Sequence, residues 1–120
     1  MTDHLFFLVG FCFLLTHEMD AVRCREWKIL PVLNRMGEGA GCIAFTALHV
    51  PLYALLLWGL FDGGDANRGL IVGLDVFFVV HMLLHIFLRD LPDNRFGSAF
   101  SWTLILGAGI FGAIDLLLIL

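Results

Sequence analysis

His17, Asp20, His49, His81 and His85 are residue types that bind metals, and their spacing brings them towards one another. His81 and His85 are four residues apart, so on a helix they stack on one face and offer two imidazole donors to one ion. His17 and Asp20 are three apart and share a face of another helix, with Glu18 turned about 100° away from them. His49 stands inside an apolar stretch two residues before Pro51. Neutral imidazole with carboxylate suits iron, zinc or manganese. Glu18, beside this face, is placed to act as a general acid or base. Cys12, Cys24 and Cys42 form no Cys-x-x-Cys pair, which argues against an iron–sulfur centre and leaves them as reduced packing residues.

The elements that must position these side chains follow from composition. The 120 residues are 60% hydrophobic and 15% charged, with a mean hydropathy of +0.93; soluble domains carry more charge and less apolar bulk. The reading is all-α, an integral membrane four-helix bundle, with residues 1–120 forming one transmembrane domain and helices over about 5–22, 39–60, 70–88 and 98–120. The first apolar run, Leu5 to Leu15, is too short to cross a bilayer, which takes roughly 20 residues. Its helix must continue through His17, Glu18 and Asp20. Ionisable groups at that depth are tolerated when they face protein, a metal or water. The run has no basic start and no cleavage pattern, so it is expected to stay in place. A net charge of −4 without a basic cluster excludes nucleic-acid binding.

The loops set the orientation. Arg23, Arg25, Lys28 and Arg35 lie in one loop and Arg89 and Arg95 in another, whereas the glycine-rich turn at 61–69 carries Arg68 alone. Basic loops stay in the cytoplasm, which predicts N-out and C-out in a bacterial inner membrane. Trp27 among basic residues reads as an interface anchor, and Pro51 is expected to kink the second helix. In the last helix, Ala108, Gly109, Gly112 and Ala113 stand at small-xxx-small spacing, which lets helices approach closely, and Asp115 shares the Ala108/Gly112 face. At 1.5 Å per residue, His17, His49, His81 and His85 fall in one band on the cytoplasmic half, with Asp75 and Asp115 together nearer the outer end. Taken singly, each histidine is a polar residue bonding a carbonyl across helices. Four in one layer, with a carboxylate beside the first, point to a metal or cofactor site.

The stretches Thr16-His17-Glu18-Met19-Asp20-Ala21 with Glu26-Trp27, Leu48-His49-Val50-Pro51-Leu52, and Leu74-Asp75-Val76-Phe77-Phe78 leading into His81 and His85 resemble small uncharacterised bacterial four-helix membrane proteins. They are more distantly similar to the membrane family named for its His-x-x-Glu-Glu motif. Asp20 stands where that motif has its first Glu, and Ala21 where it has its second. The resemblance implies a membrane bundle of histidines and acids and supplies no activity.

The functional expectation therefore rests on residue chemistry. It is a membrane-embedded metal-dependent enzyme, a non-haem iron oxidoreductase acting on a lipophilic substrate from the bilayer, with iron the first metal and zinc the second. A zinc hydrolase or a metal-free isomerase would use the same groups. The alternatives are a haem b electron-transfer subunit ligated by two of His49, His81 and His85, and a structural or assembly subunit of a larger membrane complex. A proton or ion conduit starting at Asp75 and Asp115 is a further alternative, which would require a homo-oligomer.

Overall fold

The computed structural model describes residues 4–61, 67–92, 94 and 96–120, and over these it is all-helical. Four long helices carry it: α1 (Leu5–Arg23), α2 (Glu38–Phe61), α3 (Arg68–Phe87) and α4 (Ala99–Ile119). Each is long and apolar enough to cross a membrane. Most of the turn expected at 61–69, and Arg95 of the second basic loop, lie outside the described residues.

Helix ends follow local chemistry. Asn67 caps α3 by accepting the Leu70 N–H at 3.1 Å, and Ser98 caps α4 by accepting the Ser101 N–H at 3.0 Å. At the end of α1 the Cys24 N–H bonds the Asp20 carbonyl, and Arg25 then turns left-handed at φ 55°. That conformation is uncommon for a residue with a Cβ, and it breaks the helical path sharply. Two short 3-10 turns follow, Glu26–Ile29 and Leu33–Arg35. Arg25 Nη1 and Lys28 Nζ both reach the Glu38 carboxylate, at 2.5 and 3.6 Å, which ties the loop to the start of α2.

The four helices do not pack evenly. α4 lies along both α1 and α3, while α2 makes few contacts with either. Small residues make the close packing possible. A Cβ on Gly112 would stand 2.9 Å from the Phe78 Cβ, and one on Gly10 would stand 3.2 Å from the Phe111 Cβ. Ala108, Gly109, Gly112 and Asp115 accordingly form the buried face of α4. On α1 the buried residues Phe7, Gly10, Phe11, Leu14, His17, Asp20 and Ala21 recur at helical spacing along one face. Phe7 and Phe11 both stack on Phe78 of α3, with ring centroids 6.0 and 6.4 Å apart.

α2 is apolar on every side, yet only Gly41, Phe45 and Leu60 are buried. It continues as helix through Pro51. Its first half rests on Trp27, which is buried rather than exposed at an edge, because Gly41 leaves room for the indole and Phe45 packs 5.9 Å from it. At its other end Leu60 joins the core with Phe7, Phe11 and Ile71, and between these two contacts the middle of α2 leaves a cleft against α1 lined by Leu15, Tyr53 and Leu56.

Candidate metal centre

The inward faces of α1 and α3 bring His17, His81 and His85 together. Their ring centroids lie 4.5 Å (His81–His85), 4.7 Å (His17–His81) and 4.9 Å (His17–His85) apart. His81 and His85 turn their Nε2 atoms towards each other at 3.2 Å, as neighbours one helical turn apart can. Parallel α1 and α3, held in register by the phenylalanine stack, set His17 level with them.

The fourth group is Glu26, which the sequence pattern did not single out as a ligand. The left-handed step at Arg25 turns the chain back towards the bundle, and the following 3-10 turn presents Glu26 to the histidines. Its Oε1 is 3.3 Å from His85 Nε2. One donor atom from each of His17, Glu26, His81 and His85 lies within 4.8 Å of all the others, a grouping that can hold a metal ion. The signal available in the sequence was the pair Glu26-Trp27, an acid beside an aromatic. Its depth could not be read without the turn at Arg25.

The centre is dry. His17 is 0% exposed, His85 4% and His81 8%. Phe96 closes over it, 4.7 Å from the His85 ring and 5.3 Å from the His17 ring. Asn94 holds Phe96 there: its Oδ1 accepts the Phe96 N–H at 3.0 Å, and its Nδ2 donates to the Leu88 carbonyl at 2.7 Å. Burial raises the pKa of Glu26, but its hydrogen bond with His85 and the nearby His17, His85 and His81 outweigh this and bring it below the usual value. The carboxylate form suits a ligand.

Hydrogen bonding supplies a test of fit. Both nitrogens of His17 are buried with no partner, and so are Nδ1 of His81 and Nδ1 of His85. An unpaired buried polar group costs about 1–3 kcal/mol, and several in one place call for an explanation. A shared cation accounts for one nitrogen of His17; Nδ1 of His81 and of His85 stand across their rings from the Nε2 atoms that face each other, and stay as N–H groups without a partner among the described residues. The donor set fits iron, zinc or manganese.

The other expected site residues lie elsewhere. His49 and Glu18 form a pair of their own, Nε2 to Oε2 at 2.5 Å, with His49 Nδ1 held 2.7 Å from the Phe45 carbonyl. Asp20 turns towards the start of α4. It takes Arg23 Nε at 2.8 Å, and Arg23 Nη2 reaches Ser101 Oγ at 3.2 Å. A carboxylate at a helix N-terminus also gains from the helix dipole. Cys24, within 4 Å of both Asp20 and Ser101, belongs to this clip; burial raises the pKa of its thiol. All three cysteines are free. Asp75 and Asp115 are buried against each other between α3 and α4, apart from the histidines.

A family model, described as a family of unknown function, matches residues 3–120. Comparison with curated proteins and with solved structures finds no match.

Proposed function

We propose, on the premise that this chain belongs to the family of unknown function DUF6713, that it is an integral membrane metal-dependent enzyme. The favoured chemistry is that of a non-haem iron oxidoreductase acting on a lipophilic substrate. The observation that carries this reading is the convergence of His17, Glu26, His81 and His85 within 4.8 Å. His17, Glu26, His81 and His85 would hold the ion through three imidazoles and one carboxylate. An iron ion there would supply redox chemistry and Lewis acidity. The chain's own part is to hold four donors rigidly, exclude water with Phe96 and offer the Glu18–His49 pair for proton movement nearby.

Zinc gives a second reading, favoured by the donor count. Four protein ligands fill a tetrahedral zinc site, and filled sites are structural rather than catalytic. Haem b, expected on two of His49, His81 and His85, is the less supported alternative: His49 is bound to Glu18 and the Phe45 carbonyl, and His81 and His85 turn their Nε2 atoms to each other at 3.2 Å.

The deciding experiment is elemental analysis with an absorption spectrum on protein purified in detergent. About one iron per chain without a Soret band is expected. One zinc selects the closed site, a Soret band selects haem, and no metal at all removes the metal-enzyme reading and leaves a metal-free isomerase or an assembly subunit. Orientation has its own test. With the basic loops in the cytoplasm of a bacterial inner membrane, a cysteine placed at Asn67 reacts with an impermeant thiol reagent from outside and one at Gly37 does not; the reverse pattern overturns it.

A further inference from the structure

The cleft between α1 and α2 holds polar groups that the metal centre does not use. Two cavities, of about 180 and 250 Å³, share Leu15, Tyr53 and Leu56. Together they reach the lower end of the range of ligand sites, roughly 300–1,000 Å³. Their walls are apolar except at Glu18 and Tyr53. One wall is also the wall of the metal centre, since Phe77 lines the smaller cavity and its ring lies 5.5 Å from that of His81.

The hydrogen bonding at Glu18 narrows what such a cleft can take. The Phe45 carbonyl only accepts, so the His49 Nδ1 beside it carries a hydrogen. Nε2 meets Glu18 Oε2 at 2.5 Å, which engages one carboxylate oxygen and leaves the other. Glu18 Oε1 makes no hydrogen bond among the described residues, and the side chain is only 16% exposed. An acceptor left over at the wall of an apolar cavity calls for a donor on an otherwise apolar molecule. Tyr53, whose ring packs 5.5 Å from that of His49, adds a phenolic O–H to the same lining.

We propose that the cleft between α1 and α2 binds a membrane-partitioned lipophilic molecule ending in a hydroxyl group. Its chain lies against Leu15 and Leu56, and its O–H donates to Glu18 beside His49 and Tyr53. As a substrate class this rests on the metal-enzyme reading, but the binding itself does not.

The test uses a long-chain alcohol carrying a mid-chain diazirine, with the matching hydroxyl-free alkane as comparison. Both are photolysed with the full chain in lipid bilayers, and the labelled residues are mapped by mass spectrometry. The alcohol is expected to label Leu15, Tyr53 or Leu56 saturably and to be competed by unlabelled alcohol. The alkane is expected to label lipid-facing residues of α2 without preference. In Glu18→Ala the half-saturation for the alcohol should rise about tenfold, equivalent to about 1.4 kcal/mol. Leu56→Trp, which fills the cavity from its α2 wall, should abolish saturable labelling. Equal cleft labelling by both probes means that bilayer lipid fills the groove, and it overturns the proposal. So does absent labelling in folded wild type, or saturable labelling that survives Leu56→Trp. Metal content measured on the same samples keeps the two readings apart. Cleft labelling without metal upholds this proposal and removes the metal-enzyme reading, and metal without cleft labelling does the reverse.

Discussion

Glu26 Oε1 lies 3.3 Å from His85 Nε2, so the loop after α1 is fastened to the inward face of α3. If that contact belongs to a metal site, Glu26→Gln should lower metal affinity by at least about tenfold, since even groups that only support a ligand cost 10–100-fold. The helices should stay folded by circular dichroism. Wild-type metal content in Glu26→Gln would remove Glu26 from the ligand set.

The histidines divide into two groups. His17→Ala, His81→Ala and His85→Ala should each lose bound metal. His49→Ala should keep it, because its ring is bound to Glu18 and the Phe45 carbonyl instead. Elemental analysis of all four variants decides this, and equal losses in all four would put His49 at the metal.

Asp20 is expected to act on stability and not on metal. Asp20→Asn weakens the clip through Arg23 to Ser101. Arg23 is 62% exposed at its side chain, so solvent screens much of the charge interaction. The expected loss is about 1 kcal/mol, read as a lower Tm in detergent with unchanged metal content. Metal loss at unchanged Tm would instead make Asp20 a ligand.

Glycines test the packing. A Cβ on Gly41 would stand 2.7 Å from the Trp27 indole, whereas one on Gly39 meets nothing within 4 Å. Gly41→Val should displace Trp27, shift tryptophan emission and cost about 1–3 kcal/mol. Gly39→Ala should be neutral or stabilise by up to about 1 kcal/mol. Unchanged emission in Gly41→Val would mean that Trp27 does not hold α2.

Hydropathy and spacing alone determined the four helices, because a chain this apolar must satisfy its backbone polar groups within each helix. The small-residue spacing from Ala108 to Gly112 likewise marked the face that α4 buries. Spacing also paired His81 with His85, since neighbours on one helix are a local property. Depth put four histidines in one band, but depth carries no rotation about a helix axis. Only tertiary packing decided that His17 turns to α3, that His49 turns to Glu18, and that Asp20 turns to the start of α4. Glu26 depended on still less local information. Its place is set by a left-handed turn at Arg25, where a residue with a Cβ gives no glycine or asparagine signal, and by a loop that folds back under α2. The cleft beside Glu18 is a tertiary outcome too. The helices are apolar around most of their circumference apart from the His17–Asp20 end of α1 and the Asp75, His81 and His85 line of α3, so periodicity could not tell that α4 would pack along both α1 and α3 while α2 makes few contacts with either.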